Sequence, residues 1–288
     1  MKSVCNPRVW VGRRPIRANL DSVKILFFHG TKFEEHIEYA LNDLDKIPQH
    51  IKFDQNRPTV LYFHGFVEKI TDEHIYVIAD AYQTRNDHNL IMVNWSDMAD
   101  GSYLLDAVPN AKKIGKIIGQ KLVDMTINKG FPLQKLHVVG HSLGGQLTGY
   151  VGRTVIEASE GKLKLPRISS LDPAFPGFYP AIVGTHLNKI FLKLLYKSLN
   201  RKFVTDLCSH RRSWFFWAES VKNKEPSFQA VKCDSWKQFK AGDYDTKSSV
   251  ISMGIDCPLD ARGDFFLQTN GATPFSRGIA GIRYEKLK

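Results

Sequence analysis

An apolar run that ends in a glycine-flanked serine constrains this chain more than any other feature. Residues 136–139 are Leu-His-Val-Val, and Gly-His-Ser-Leu-Gly follows at 140–144. This pattern predicts a nucleophile elbow, a sharp strand-to-helix turn that lifts Ser142 out of the backbone. A side chain at Gly140 or Gly144 would clash with the neighbouring strand and helix. The first turn of the helix would then offer unpaired N–H groups to a developing oxyanion.

The size and composition of the chain suit one large α/β domain or two small ones. It has 288 residues, of which 43% are hydrophobic and 11% aromatic. The longest early apolar run, residues 25–28, is far below the ~18–20 residues of a membrane span, so we expect no transmembrane segment. Residues 1–7 turn polar at once and contain no signal peptide. We therefore expect either a cytosolic protein or a sequence that lacks its true N-terminus.

The charge balance is basic, with 40 Lys and Arg against 29 Asp and Glu and a net charge of +11. Such a surface favours anionic partners such as phosphates or acidic lipid headgroups, although solubility alone explains most of these charges equally well. Basic motifs interleaved with aromatic residues are not evident, so we predict no nucleic-acid binding. The four cysteines form no C-x-x-C pair, which argues against zinc or thioredoxin-like chemistry.

Apolar patterns alternate between strands and helices along the chain. Strands are predicted at 23–28, 59–63, 90–95 and 167–171, and a strand with its elbow at 135–145. Helices are predicted at 34–47, 74–82 and 111–127, and from the elbow to about Glu160. Because the strands are mostly continuous apolar runs, we predict an α/β fold with a mostly parallel central sheet and helices on both faces. We predict that residues 1–22 form an N-terminal arm and that residues 23–288 form a single domain.

Asp172 is the first candidate for a catalytic acid. A serine nucleophile needs a histidine base, and the histidine needs a carboxylate to orient it. In proteins with this elbow the chain order is serine, acid, histidine. Asp172 directly follows the predicted strand 167–171 and precedes Pro173, which favours the carboxyl-end edge of a sheet. Asp206 and Glu219 are competitors without such a strand, and the alternative for Asp172 is a turn former.

Two histidines after Asp172 are candidates for the base. They are His186 and His210, and their spacing does not separate them, although we favour His210. The eight histidines before Asp172 are disfavoured by chain order.

The oxyanion hole is predicted to combine two backbone N–H groups. One belongs to Leu143, the residue after the nucleophile, and the other to a loop after an earlier strand. His64-Gly65-Phe66 follows the predicted strand 59–63, so Phe66 is the second candidate donor. The alternative is an ordinary glycine at the end of a strand.

Taken together, these motifs resemble the neutral lipase family typified by pancreatic lipase, especially its short insect members. The matching motifs are Phe63-His64-Gly65-Phe66, Asn94-Trp95-Ser96, Gly101-Ser102-Tyr103, the elbow at 140–145, Leu171-Asp172-Pro173-Ala174 and Cys208-Ser209-His210 with Arg212 and Ser213. The resemblance covers about residues 23–188 and 206–284. It implies an α/β-hydrolase fold, with His210 as the base and His186 as a loop residue.

The resemblance also implies hydrolysis of glycerolipid esters, as a triacylglycerol lipase or an sn-1 phospholipase, without a metal or cofactor. Ser142 would form the acyl-enzyme, with His210 as the base and Asp172 as the acid. The N–H groups of Leu143 and Phe66 would bind the oxyanion. Secretion, disulfides and peripheral contact with lipid surfaces are implied as well. The alternatives are a catalytically silent lipid-binding or yolk-type storage homologue and a soluble hydrolase of small esters or thioesters.

The segment 189–205 departs from the family, which has a further strand and a cysteine-bounded lid there. Lysine and arginine recur every four residues from 189 to 201, and apolar residues do so from 191 to 203. We interpret this pattern as a lid that contacts anionic lipid, an ordinary packed helix or an incorrectly joined segment. A missing lid favours polar substrates such as phospholipids. Against the family pattern, Cys233 pairs most naturally with Cys257, which leaves Cys5 and Cys208 free.

Overall fold

The computed structural model describes residues 19–174, 178, 203–223, 228–246 and 250–286. The chain divides into two compact units, one of Met1–Tyr76 and Asp87–Ser213 and the other of Val77–Asn86 and Trp214–Lys288. The predicted single domain over 23–288 stays a prediction. Residues 1–18 of the predicted arm, His186 and all but the last three residues of the segment 189–205 lie outside the described residues.

A six-stranded sheet forms the centre of the first unit, with the strand order β2-β1-β4-β3-β5-β6. The strands are β1 (Lys24–Phe28), β2 (His36–Ala40), β3 (Thr59–Phe63), β4 (Asn89–Asn94), β5 (Leu136–His141) and β6 (Arg167–Leu171). Strands β4, β3, β5 and β6 run parallel, whereas β1 pairs antiparallel with both β2 and β4. The prediction of an α/β fold with a mostly parallel central sheet is confirmed.

The middle strands are buried on both faces, as their continuous apolar sequences require. Leu61, Phe63 and Val138 join a core cluster on one face. Their neighbours Tyr62 and Val139 point the other way and are also buried. Each such side chain contributes roughly 1.5–3 kcal/mol by leaving water, so the sheet is held from both sides.

The described helices are α1 (Glu73–Arg85), α2 (Val108–Lys129), α3 (Leu143–Ala158), α4 (Phe203–Lys222) and α5 (Trp236–Ala241). The helices predicted at 74–82, at 111–127 and from the elbow to about Glu160 correspond to α1, α2 and α3. Helix α2 begins with a proline in its first turn and ends at Gly130, whose φ of 68° caps the helix in the left-handed region. Helix α3 packs against α2 and against strands β5 and β6.

The helix predicted at 34–47 is wrong. Residues His36–Ala40 form β2, which pairs antiparallel with β1, and Leu41–Gln49 form a 3₁₀-helix. The buried residues of that helix, Leu41, Leu44 and Ile47, recur at every third position. A spacing of three suits the three residues per turn of a 3₁₀-helix, and over a short window it resembles an α-helical pattern.

A small antiparallel sheet belongs to the second unit, with the order β8-β7-β9. Its strands are β7 (Gln229–Lys232), β8 (Val250–Ser252) and β9 (Phe265–Phe266). The predicted disulfide between Cys233 and Cys257 is wrong, because both thiols are free. Cys233 is buried in an apolar cluster with Val231, Phe239 and Ile282, whereas the Cys257 sulfur faces the Pro258 carbonyl at 3.8 Å. Cys5 and the Cys208 side chain lie outside the described residues.

Membrane-spanning helices are absent from the part of the chain that the structure describes, where no helix is both long and apolar enough to cross a bilayer.

The close contact between α2 and α3 depends on a glycine. A Cβ atom on Gly119 would lie 2.6 Å from the Thr154 Cβ and 2.9 Å from the Val151 carbonyl oxygen. We expect Gly119→Ala to lower the free energy of unfolding by about 1–3 kcal/mol through overpacking. The matched control is Gly149→Ala on exposed α3 surface, where a Cβ meets nothing within 4 Å. It should stabilise the protein by about 0.5–1 kcal/mol. Urea unfolding measures both, and equal effects would contradict this packing.

Candidate active site

Ser142 occupies a strained turn between β5 and α3. Its backbone has φ 54° and ψ −121°, a region that residues other than glycine rarely adopt. The N–H of Ser142 donates to the Leu171 carbonyl at 3.0 Å. Its carbonyl accepts from the N–H groups of Gly145 at 3.0 Å and Ala174 at 3.1 Å. The turn is therefore held by hydrogen bonds both from α3 and from the segment around β6.

The glycines of the elbow allow neighbouring backbones to touch. A Cβ on Gly144 would lie 2.3 Å from the Phe63 carbonyl oxygen, and one on Gly140 would lie 2.2 Å from the Gly144 carbonyl oxygen. The predicted clash at both positions is confirmed. Helix α3 can begin beside the end of β3 only because these side chains are absent.

The segment after β3, residues 64–68, carries the predicted oxyanion donor Phe66 and is called the oxyanion loop below for that prediction. Strand β3 pairs with β5 so that Phe63 lies opposite Gly140, and the loop therefore starts beside the elbow. A Cβ on Gly65 would lie 2.8 Å from the Ser142 Cβ, so the loop contacts the serine directly. The next residue is Phe66, whose ring packs edge-on against Tyr103 at a centroid distance of 5.1 Å.

His64 fixes the orientation of the peptide that carries the Phe66 N–H. Its Nε2 accepts from the Trp95 N–H at 3.2 Å, and its Nδ1 lies 3.1 Å from the Gly65 carbonyl oxygen. Burial lowers the pKa of His64 to about 4, so the ring is neutral near pH 7 and Nδ1 carries the proton. Because the Gly65 carbonyl and the Phe66 N–H share one planar peptide, this hydrogen bond sets the direction of the N–H.

Asp172 and His210 are brought together across 38 residues of sequence. Asp172 directly follows β6, and its Oδ2 lies 2.6 Å from the His210 Nδ1. The hydrogen bond from His210 lowers the pKa of Asp172, against the opposing effect of partial burial. His210 lies within helix α4.

Of the competing residues, the structure describes only the side chain of Glu219. Glu219 lies in the second unit, where its carboxylate accepts the N–H groups of Phe275 and Ser276, each at 2.7 Å. His186 and the Asp206 side chain lie outside the described residues.

His141, the residue before Ser142, packs against His210. The two rings have a centroid distance of 4.5 Å, and the His141 Nε2 lies 3.3 Å from the His210 carbonyl oxygen. Strands β5 and β6 pair with His141 opposite Leu171, so Ser142 and Asp172 follow neighbouring strand ends. The carboxyl-terminal edge of the sheet thus gathers the predicted nucleophile, acid and base.

Sequence reasoning missed a buried acidic group beside this edge. Glu68 lies between His74 and His141, with its carboxylate 3.0 Å and 2.8 Å from their ring nitrogens. The only sequence signal was a glutamate three residues after Gly65. Within the described ranges, no group of three or more His, Cys, Asp or Glu side chains is arranged to hold a metal ion.

Comparisons with known proteins point to one family. A family model described as Lipase matches residues 12–190 and 184–275 of this chain. Phospholipase A1 1 of Dolichovespula maculata is 24% identical over 241 residues, which cover 71% of this chain and 74% of that protein. Hepatic triacylglycerol lipase of Mus musculus is 23% identical over 282 residues, which cover 79% of this chain but 54% of that protein. The chain thus spans about half of the mouse protein.

Two further similarities are to a protein that is not named a lipase and to a solved structure. Vitellogenin-3 of Drosophila melanogaster is 29% identical over 189 residues, which cover 57% of this chain and 44% of that protein. Among solved structures, a thermostable carboxylesterase cloned from a metagenomic library covers 68% of this chain and 65% of its own, with a TM-score of 0.32 and 14% identity. A structural likeness of this size supports no conclusion about function.

The buried neutral state of His64 predicts a pH-dependent stability. The pKa of His64 is about 4 in the folded protein against the ordinary 6.5, so the unfolded chain binds its proton first as pH falls. The stability from His64 is full above pH 6.5 and is lost progressively down to pH 4, by about 3 kcal/mol. Urea unfolding of the wild type and of His64→Gln between pH 7 and 4 measures this difference.

The comparison with His64→Gln is needed because a second buried histidine also lowers stability as pH falls. Burial lowers the pKa of His137 to about 3, and this histidine is present in both proteins. The wild type should lose more stability than His64→Gln over this range. Parallel pH profiles for the two proteins would contradict the neutral, buried His64.

Proposed function

Because the chain belongs to the lipase family, a family of carboxylic ester hydrolases, we propose that it hydrolyses glycerolipid esters through an acyl-enzyme on Ser142. The observation that carries the proposal is the 2.6 Å contact between His210 and Asp172 at the sheet edge that also bears the strained Ser142. Family likeness alone would be compatible with a protein that has lost its catalytic residues. A paired histidine and aspartate beside a serine elbow favour retained chemistry.

In the proposed mechanism, the Ser142 Oγ attacks the acyl carbonyl while its proton passes to the Nε2 of His210. Asp172 accepts the hydrogen bond from the Nδ1 of His210, which fixes the ring tautomer and stabilises the imidazolium. The carbonyl oxygen becomes an oxyanion, for which the N–H groups of Leu143 and Phe66 are the donors. The tetrahedral intermediate collapses when His210 protonates the departing alcohol oxygen. Water, deprotonated by His210, then attacks the acyl-enzyme and releases the acid and free Ser142.

The local electrostatics suit these roles. The pKa of Asp172 is lowered by the hydrogen bond from His210, so Asp172 remains a carboxylate at neutral pH. Leu143 is the first residue of α3, where backbone N–H groups have no partner within the helix. The helix dipole adds a partial positive charge at the same end. Both effects favour negative charge on a substrate oxygen beside Ser142.

We propose a lipid surface as the physical form of the substrate. Leu104 and Leu105 lie 47% and 80% exposed on the π-helical turn Tyr103–Ala107. Tyr103 contacts Phe66, so the turn lies beside the oxyanion loop. The first turns of α2 then present exposed Lys112, Lys113 and Lys116. Exposed leucines next to lysines fit the boundary between acyl chains and anionic headgroups.

Between a triacylglycerol lipase and an sn-1 phospholipase, we favour the phospholipase. This choice rests on the resemblance to the lipase family, in which a missing lid favours polar substrates such as phospholipids. Likeness to the Lipase family also supports an extracellular location. The second candidate function is a silent lipid-binding or storage homologue, which the similarity to Vitellogenin-3 favours. A silent homologue would bind lipid vesicles and hydrolyse no ester.

Two substitutions test the chemistry. We expect Ser142→Ala to lower kcat for p-nitrophenyl butyrate at least about 1000-fold, because the nucleophile is removed. Asp172→Asn should lower kcat on the order of 1000-fold or more, because the amide cannot hold the same His210 tautomer or stabilise the imidazolium. Glu157→Gln on exposed α3 surface is the matched control and should leave kcat unchanged. Hydrolysis that survives Ser142→Ala would refute the mechanism.

A second pair of substitutions tests the lipid surface. We expect Leu105→Asp to weaken binding to phosphatidylglycerol vesicles about 10- to 100-fold, because burying a leucine contributes about 1.5–3 kcal/mol. Hydrolysis of soluble p-nitrophenyl butyrate should be kept. Ile127→Asp is the matched control, because Ile127 is 61% exposed near the far end of the 22-residue α2. Vesicle co-sedimentation measures binding. Equal losses for both variants would argue against a specific lipid-facing turn.

A further inference from the structure

We propose that the buried carboxylate of Glu68 is a positioning residue that ties the oxyanion loop to the nucleophile elbow and to the backbone of His210. The inference rests on the proposed function, since it assigns a role within the same reaction. Glu68 contacts none of the reacting atoms in that mechanism. It acts through the backbone of Gly65 and the side chain of His141.

Glu68 is an ionised group in a place where ionised groups are costly. Only 9% of the residue is exposed, and burial alone would raise the pKa of its carboxyl. The charges of His141 and His74 outweigh burial and hold that pKa well below its usual range. A buried carboxylate is tolerated only where its oxygens are met by donors or positive charge. The groups that contact the carboxylate therefore show which parts of the structure Glu68 positions.

The first partner lies within the oxyanion loop. The Gly65 N–H donates to the Glu68 Oε2 in a short hydrogen bond. A Cβ on Gly65 would lie 2.8 Å from the Ser142 Cβ and 3.0 Å from that Oε2, so Gly65 is packed between the serine and the carboxylate. His64 holds the carbonyl of Gly65 on the other side. The two peptides that flank Gly65 are thus both fixed, and the second of them carries the Phe66 N–H.

The second partner lies on the elbow. The Glu68 Oε1 is 2.8 Å from the His141 Nδ1, and the His141 Nε2 is 3.3 Å from the His210 carbonyl oxygen. Both ring nitrogens of His141 therefore face oxygen atoms, one of the Glu68 carboxylate and one of the His210 backbone. His141 thus links the carboxylate to the backbone of the proposed base.

The loop also holds strain that needs a compensating anchor. Val67 has φ 49°, a left-handed conformation that a β-branched residue adopts only under constraint. Its N–H donates to the Ala99 carbonyl at 2.8 Å, and the next residue is Glu68. Without the anchor, the loop would relax, and a shift of ~1 Å at the Phe66 N–H would weaken the transition state more than substrate binding.

Kinetics of three variants of the full chain test the role. We expect Glu68→Gln, which removes the charge at nearly constant shape, to lower kcat for p-nitrophenyl butyrate ~10–100-fold with KM changed less than ~3-fold. A boronic acid that mimics the tetrahedral intermediate should bind more weakly by a similar factor. His141→Asn should reproduce the kcat loss, and Glu68→Asp should restore part of it. A purely structural residue would lower stability without this split between kcat and KM.

The matched control is His137→Asn, a buried histidine on the same strand as His141. The His137 Nε2 lies 2.9 Å from the Ser169 Oγ. Losing this contact should lower Tm and leave kcat unchanged. Hydrogen exchange gives a measurement that is independent of activity: the peptide spanning residues 64–68 should exchange faster in Glu68→Gln than in the wild type, and His137→Asn should leave it unchanged.

The outcomes separate the inference from the proposed function. A folded Glu68→Gln with wild-type kcat, or unchanged exchange at 64–68, would overturn the inference. If Glu68→Gln does not fold, full kcat in His141→Asn would overturn it instead. A wild type that hydrolyses no ester would contradict the proposed function, and the exchange of residues 64–68 would still decide whether Glu68 anchors the loop.

Discussion

The parallel pairing of β3 with β5 is the constraint on which the rest of the site depends. It sets Phe63 opposite Gly140, and the helix after Ser142 then starts in contact with the Phe63 carbonyl. The oxyanion loop begins at the next residue and therefore passes beside Ser142. A shift of this register by one residue would exchange the buried faces of both strands, so packing and site geometry are fixed together.

Two buried titratable groups stabilise the edge of the sheet, one in its neutral form and the other in its charged form. His64 avoids the cost of burial by losing its charge, with a pKa of about 4, and the neutral ring then accepts from one backbone group and donates to another. Glu68 keeps its charge because His141 and His74 surround it. Both side chains contact Gly65 or its peptide. The conformation of the oxyanion loop is therefore set by electrostatics as much as by apolar packing.

Local sequence patterns predicted the parts of the fold that rest on local physics. Strands β3 and β5 have mostly apolar sequences, and the clash at Gly140 and Gly144 follows from chain geometry alone. Residues 36–40 were missed because pairing with β1, a non-local contact, decided their conformation. Cys233 was misassigned because a buried thiol packs as a small apolar group, and sequence spacing does not distinguish that role from a disulfide.

The candidate site divides in the same way. Ser142, Asp172 and Phe66 each follow a strand, so their neighbourhood could be inferred from the parallel topology. His210 could not be separated from His186 by spacing and was assigned through the family resemblance. A glutamate three residues after Gly65 did not by itself reveal the proposed role of Glu68, because that role depends on contacts with His141, more than 70 residues away in the sequence. Such contacts exist only after the sheet has formed.

The most direct measurement of the central claim is covalent labelling of the full chain with a long-chain p-nitrophenyl phosphonate. Attack by Ser142 would release p-nitrophenol and leave a tetrahedral adduct whose oxygen lies where the oxyanion would form. The account predicts one adduct per chain, located on Ser142 by peptide mass spectrometry, with ester hydrolysis falling in proportion to labelling. A chain that hydrolyses esters yet carries no adduct on Ser142, or that stays active when fully labelled there, would contradict it.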